Sequence, residues 1–273
     1  MEPIAQHYTS PGLLAAIRDG LRQMGKTPHT VTADELAAVD QFHVGGQVAT
    51  ERFLDHLASR PPGHLLDLGC GLGGAARQAA ARFGHRVTGV DLTAAFVEVG
   101  TRLSQWVGLA DRVTLVEGDV TALPFEAASF DGAFMLHAGM NIADKRALGR
   151  AVYRVLRPGS LFGIYDLMRQ SDEDLTYPVP WASEASTNHA AWPEVYVAAL
   201  KEAGFHVRRQ QAWGDLAQLF TAPPPPASTP KHGPSPLGLH LVMGATAPAK
   251  RRHLAAALRQ GLVVPVELIA ERV

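Results

Sequence analysis

A short apolar run that passes into glycines and then into a helix constrains this chain more than any other feature. Leu65-Leu66-Asp67-Leu68 is followed without a break by Gly69-Cys70-Gly71-Leu72-Gly73-Gly74, and residues 75–83 suit a helix. Glycine lets a backbone turn sharply and approach a ligand closely, and the helix start presents free N–H groups beside it. The chain around this turn keeps the same rhythm. Residues 64–68, 86–90, 113–116, 132–136 and 161–165 read as strands, and 75–83, 94–107 and 145–156 read as the helices between them. The last of these helices carries Leu148, Ala151, Val152, Val155 and Leu156 on one face and stops at Arg157-Pro158-Gly159. This β-α-β alternation predicts an α/β fold, a mostly parallel sheet with helices on both faces.

The flanks read differently. Residues 1–60 predict an N-terminal helical cap ahead of a main domain over 61–273. Leu13, Leu14, Ile17, Leu21 and Met24 have helical spacing after a Ser10-Pro11 cap, and Thr32 and Glu35 have capping-box spacing. A third helix is expected over 47–59, stopped by Pro61-Pro62-Gly63. Residues 166–193 have weak periodicity and read as an insertion over the top of the sheet. A helix over 193–203 and a strand over 206–212 follow. Seven prolines in fifteen residues make 222–236 a surface loop. Residues 238–243 read as the last strand and 250–260 as a helix.

A length of 273 residues fits one large domain with insertions, and 47% hydrophobic against 19% charged residues supports a packed core rather than disorder. The formal net charge of −1 gives no global field toward nucleic acid or an anionic membrane, and no apolar run reaches spanning length. The single cysteine, Cys70, cannot pair within the chain, and no signal segment opens it. The expectation is a cytoplasmic protein, monomer or homodimer, acting on a small molecule without nucleic-acid or membrane partners. No metal site is expected, because the twelve histidines are scattered and no ligand spacing occurs. Lys250-Arg251-Arg252-His253 reads as a solvated basic helix face.

The glycines alone leave the ligand open. Gly69, Gly71 and Gly74 satisfy a dinucleotide fingerprint, Asp67, Gly69, Gly71 and Gly73 satisfy the acidic form found with S-adenosylmethionine (SAM), and a ligand-free turn is a third reading. Val87-Thr88-Gly89-Val90-Asp91 ends in a carboxylate about 20 residues on, where a ribose diol would be held. Asp119 in Glu117-Gly118-Asp119-Val120 can accept from an exocyclic adenine amine or serve only as a turn aspartate.

With Asp67-Leu68-Gly69-Cys70-Gly71-Leu72-Gly73, Val90-Asp91-Leu92, Gly118-Asp119-Val120 and Val155-Leu156-Arg157-Pro158-Gly159 in this order, residues 64–168 resemble the class I SAM-dependent methyltransferases. The resemblance implies a Rossmann-like seven-stranded sheet with its last strand antiparallel, and SAM lying across the strand ends. By position, Asp67, Gly69, Cys70, Gly71 and Gly73 would face the methionine part and Asp91 the ribose. Leu92 would pack on adenine, with Gly118, Asp119 and Val120 at its edge and Leu136 and Gln41 completing the cofactor wall. SAM carries an ammonium and no diphosphate, so Asp67 favours it.

Methyl transfer needs positioning and, for a protic acceptor, a base. His137 follows the fourth strand, where open α/β sheets bind ligands, and is the first candidate; shaping the pocket without moving a proton is its alternative. Asn141 either holds a substrate carbonyl or caps the helix starting near Ala143. Asp40-Gln41-Phe42-His43-Val44-Gly45-Gly46 resembles the segment bordering the cofactor in sarcosine/dimethylglycine N-methyltransferase-like proteins, which makes His43 a second candidate. Tyr8 could set its aromatic face against the sulfonium. Tyr177, Trp181 and His189 in the insertion are candidate substrate residues, and pinning the insertion to the sheet is the alternative for the two aromatics. The sequence therefore reads as a SAM-dependent methyltransferase with a small-molecule acceptor, amine nitrogen preferred. O- or C-methylation is the alternative, and a non-methylating SAM-binding enzyme or ligand-binding protein the reading from another class.

Overall fold

The sheet grows outward from β1 (His64–Leu68), which pairs in parallel with β2 (Arg86–Asp91) on one side and β4 (Phe130–Leu136) on the other. β3 (Val113–Glu117) extends one edge beyond β2, and β5 (Leu156–Arg169) follows β4, all in parallel. The last strand, β7 (Val263–Arg272), inserts antiparallel between β5 and β6 (Phe205–Ala212), giving the order β3-β2-β1-β4-β5-β7-β6. This is the seven-stranded, Rossmann-like architecture expected from the motif order. The computed structural model describes residues 12–57, 61–221 and 235–273. The Ser10-Pro11 cap, the end of the 47–59 helix and most of the proline-rich stretch lie outside them.

Helices cover both faces. Before the sheet come α1 (Leu13–Gln23), α2 (Ala33–Asp40) and α3 (Gly46–Leu57); α4 (Gly74–Phe83), α5 (Ala94–Trp106) and α6 (Lys145–Val155) are the crossovers. α7 (Pro193–Ala203), α8 (Gly214–Thr221), α9 (His240–Met243) and α10 (Ala247–Arg259) follow among the described residues. The α2 capping box forms as spaced, with Thr32 Oγ1 accepting from Glu35 N and Glu35 returning the bond to Thr32 N. One core layer buries Phe53 of α3 and Leu254 of α10 against Phe134 and Tyr165; the opposite layer buries Leu148 and Val152 of α6 with Tyr196 of α7 against Phe162 and Ile164.

Two expectations need correction. Residues 238–243 contain the short helix α9 rather than the last strand, which lies at 263–272. A six-residue apolar run has no period of its own, so packing against α1 and α10 decides it. The central strand β7 carries Pro265. It is tolerated because its carbonyl accepts Trp213 N at 2.8 Å on the β6 side, so the missing N–H also faces that side, past the end of β6 pairing at Val266. β5 also runs on to Arg169, so the insertion departs later than 166.

A buried ion pair joins α2 to α4. Arg77 Nη2 donates to Asp40 Oδ2 at 2.6 Å with both side chains sealed from solvent, and Arg77 Nη1 donates to Ser104 Oγ and Gly100 O in α5. Removing one partner leaves the other charge buried, which costs about 3–5 kcal/mol. Arg77→Met is therefore expected to lower the unfolding free energy measured by urea denaturation by about 3–5 kcal/mol, and an unchanged value would show that the pair holds nothing together.

Candidate active site

β1 and β4 are neighbours, but their connections leave in opposite directions, so a crevice opens at the C-terminal ends of the strands. Two turns meet there: a Cβ built on Gly69, whose φ is +70°, would fall 2.3 Å from the Ala138 Cβ. Only glycine fits at that contact. A cavity of about 390 Å³ occupies the crevice, walled by the turns after β1, β2, β3 and β4 and roofed by Val39 to His43.

Asp91 organises its floor. The Oδ2 atom accepts Gly71 N at 2.8 Å and Oδ1 accepts Thr93 N at 2.9 Å, so one carboxylate joins the turns after β1 and β2. Burial raises its pKa above the ordinary value, with the two N–H donors working against that. Asp119 is fixed at the adjacent wall by Thr121, whose N and Oγ1 donate to Oδ1 at 2.8 and 2.7 Å. Asp67 is buried with Oδ2 lacking a hydrogen-bond partner among the described residues, and burial, then the charge of Asp91, pushes its pKa well up.

Gly69, Cys70, Gly71, Leu92, Gly118, Val120 and Leu136 all line this cavity, as do Asn141 and His189. Gly73 does not: it caps α4 with φ 76°, its α-carbon facing Leu115 and Arg77. Tyr177 does not line it either. Its hydroxyl accepts from Asn188 Nδ2 at 3.0 Å, while Trp181 Nε1 donates to Asn188 Oδ1 at 2.8 Å, so this pair holds the insertion together. The cap of α6 is Asp144, which accepts Ala147 N, and not Asn141. Asn141 instead ends a single helical turn after β4. Tyr8 lies outside the described residues.

A second cavity of about 400 Å³ lies behind the roof. Gln41, Phe42, His43 and His137 line both, so these residues form the partition between them. The first cavity carries Asp40, Asp67, Asp91, Asp119 and Asp144; the second carries no carboxylate among the described residues and is walled by apolar groups such as Met140, Leu167, Trp181, Phe220 and Leu254. Trp181 thus reaches the second cavity only. Phe220 and Leu254 in α8 and α10 were not singled out by sequence, nor was Leu239 beside α9, because residues so far from the glycine turn carry no signal of shared surroundings.

The partition has a defined hydrogen-bond polarity. His43 Nε2 lies 3.0 Å from Gly46 O and 2.8 Å from Thr50 Oγ1, and Thr50 Oγ1 donates to Gln41 Oε1 at 2.7 Å. A carbonyl only accepts, and the Thr50 proton is already used, so Nε2 must be the protonated nitrogen. Nδ1 then keeps its lone pair and joins no hydrogen bond among the described residues. Gln41 Nε2 donates onward to Gln78 Oε1, and Gln78 Nε2 to Glu51 Oε1, both at 3.2 Å. The Gln41 amide is therefore engaged within the partition. Burial pushes the His43 pKa down to about 4, against a smaller upward pull from the Gly46 carbonyl. His137 has φ 50° at the end of β4, its ring 5.1 Å from Tyr165 and 5.8 Å from His43. Its Nε2 is buried without a partner, and burial, then His43, pushes its pKa well down.

These observations separate the ligands left open by the glycines. A diphosphate would meet Asp67, Asp91 and Asp119 in one enclosure, whereas an ammonium would satisfy the partnerless Asp67 Oδ2. The sheet order is that of the Rossmann-like methyltransferase fold, and the acidic cavity lies at its strand ends. Residues 66–164 match the family model described as Methyltransferase domain. Sterol 24-C-methyltransferase of Yarrowia lipolytica is 32% identical over 174 residues, which are 61% of this chain and 45% of that protein. The chain thus spans less than half of that relative. Among solved structures, geranyl diphosphate C-methyltransferase from Streptomyces coelicolor A3(2) shares the fold at TM-score 0.69 and 19% identity, covering 100% of this chain and 97% of that one. A Galdieria sulphuraria structure assigned to sarcosine dimethylglycine methyltransferase shares it at TM-score 0.67 and 19% identity, covering 88% and 94%.

Among the described residues no helix is long and apolar enough to cross a membrane. They also contain no group of three or more His, Cys, Asp or Glu side chains suited to a metal ion.

The state of Asp67 gives a test of the cofactor site. Its raised pKa favours the protonated form in the free protein, whereas an ammonium partner favours the ionised form. Binding of S-adenosylhomocysteine is therefore expected to release protons, and affinity to rise with pH through the Asp67 titration. Calorimetry in buffers of differing ionisation enthalpy measures this. No proton release in the wild type, or equal release in Asp67→Asn, would remove Asp67 from the ammonium site.

Proposed function

We propose that this protein methylates a carbon atom of a small, largely apolar molecule, with SAM held in the acidic cavity and the acceptor in the apolar one. The observation that carries this reading is the shared partition: one cavity is built for a cation, the other has no carboxylate among its described residues, and two imidazoles lie between them. An amine acceptor, the preference drawn from sequence, would arrive as an ammonium and would want a carboxylate beside it. The apolar lining suits a carbon nucleophile better, as does similarity to relatives named as sterol and geranyl diphosphate C-methyltransferases.

When bound, SAM supplies an electrophilic methyl group on a sulfonium sulfur. Asp91 and Asp119 would hold its nucleoside end and Asp67 its ammonium. The acceptor carbon gains a methyl group, the C–S bond breaks, and one proton leaves that carbon. His43 receives the proton at Nδ1, and the Thr50 hydroxyl and Gly46 carbonyl hold the resulting imidazolium at Nε2. The buried wall excludes water from the transfer.

Isotopically labelled SAM offered with panels of electron-rich alkenes, enols, phenols and amines tests the reading. Label in a new C–CH3 group is the expected result. Label only on nitrogen or oxygen overturns the carbon assignment. Tight SAM binding without any S-adenosylhomocysteine formed would favour a non-methylating catalyst.

A further inference from the structure

The apolar cavity has one feature that carbon methylation alone does not use. Arg251, near the start of α10, lines this cavity and not the acidic one, and it is the only charged side chain in the described lining. It makes no salt bridge among the described residues. Its guanidinium lies 5.9 Å from the ring centroid of Phe220, another wall residue, which holds it at the cavity edge. The basic run around it divides by direction. Lys250 is buried and donates to Met243 O, His253 bonds Pro178 O at 3.0 Å, and Arg252 is exposed and lines neither cavity. Of the four residues first read as a solvated face, only Arg251 is turned to the chamber.

We infer that the acceptor is an amphiphile: an apolar body within the second cavity and an anionic head, carboxylate or phosphate, held by Arg251 at the exposed edge. This deepens the reading above and rests on the apolar cavity being the acceptor site. Electrostatics supports the arrangement. An anion inside an apolar chamber would lose its hydration without compensation, whereas beside an exposed guanidinium it keeps water and gains a charge-assisted bond. The two ends of the ligand are thereby sorted. The head stays at α10, and the body extends toward His43 and His137, which lie on the opposite boundary with the acidic cavity. An anionic head is also kept away from Asp67, Asp91 and Asp119, so the chamber fixes which end of the molecule meets the methyl donor.

The test uses the full chain saturated with S-adenosylhomocysteine and three probes with one alkyl body: decanoate, decyl phosphate and decan-1-ol, titrated by calorimetry or by Trp181 fluorescence. The expected result is that at least one anionic probe binds about tenfold more tightly than the alcohol, and which one does so distinguishes carboxylate from phosphate. Arg251→Gln is expected to remove that preference by weakening the anionic probe about tenfold, with the alcohol and S-adenosylhomocysteine affinities unchanged. Arg251→Lys should retain part of it. Equal binding of all three probes in the wild type overturns the proposal, as does an Arg252→Gln variant that loses the preference as fully as Arg251→Gln, since the effect is then general surface charge. The methylation reading fails separately, through absence of donor binding or of methyl transfer, neither of which depends on Arg251.

Discussion

Asp91→Ala is expected to weaken S-adenosylhomocysteine binding on the order of 100-fold or more, the largest effect of any single cofactor-site substitution. The carboxylate receives Gly71 N and Thr93 N, so its loss strands two backbone donors and loosens two turns in addition to removing the ribose ligand. Charge-assisted bonds of this kind contribute about 1.5–3 kcal/mol each, and 1.4 kcal/mol is tenfold in affinity. Asp91→Asn separates the parts, because it keeps the size and an amide oxygen while removing the charge. Calorimetry should rank wild type, Asn and Ala in that order, with thermal unfolding confirming that the fold persists. A loss smaller than about threefold for the alanine variant would mean that the cavity at the β1–β4 crevice is not the cofactor site.

The second large effect is expected at His43. If its Nδ1 receives the proton, His43→Gln should lower kcat by about 100- to 10,000-fold, the range for loss of a general base, while S-adenosylhomocysteine affinity stays within a few fold. Thr50→Val should give a smaller fall in kcat, since it removes one of the two acceptors that hold Nε2–H and leaves only the Gly46 carbonyl, and Thr50→Ser should restore most of the activity. The pH profile carries the same information. A histidine held at about 4 is already neutral throughout the neutral range, so kcat at saturating donor should stay level from pH 8 to below 6 and fall only on approach to about 4. A break near 6.5 would indicate a solvated imidazole in place of the buried one. If His137→Gln abolishes kcat and His43→Gln does not, the base is His137.

The same depressed pKa has a stability consequence with a definite sign. Between about 4 and the ordinary 6.5, the unfolded chain binds a proton at His43 that the folded protein does not. The contribution is therefore fully present above 6.5 and is lost as pH falls toward 4. His43→Gln should flatten that part of the stability profile in chemical denaturation.

The acidic cavity was legible in the chain because its residues lie at the ends of successive strands. Asp67, Gly69, Asp91, Gly118 and Asp119 each follow a strand that periodicity locates, and parallel pairing brings those ends together without further information. Gly73 and Tyr177 matched the pattern in sequence but face away, because a helix cap and a hydrogen-bonded loop fix directions that spacing does not encode. The apolar chamber was scarcely legible. Its walls come from α8, the α9 segment and α10 as well as from the partition, and only Trp181, His43, His137 and Gln41 among them had been marked by sequence. Asn141 lost its capping role to Asp144 for a local reason: one added turn after β4 delays the helix start to Lys145.

By itself the sequence determined the β-α-β core, and through its resemblance to the class I methyltransferases it implied the seven-stranded sheet and SAM. Alternating apolar runs, a glycine turn that must sit at a strand end and carboxylates after the first three strands admit few arrangements, since each depends on contacts between chain neighbours or adjacent strands. Tertiary structure alone decided that an apolar cavity shares a wall with the acidic one, which nitrogen of His43 keeps its lone pair, and that Arg251 lines that cavity. The physical reason is range. A hydrogen-bond tautomer and a cavity wall depend on groups far apart in the chain, whose meeting is set by the packing of whole helices against the finished sheet.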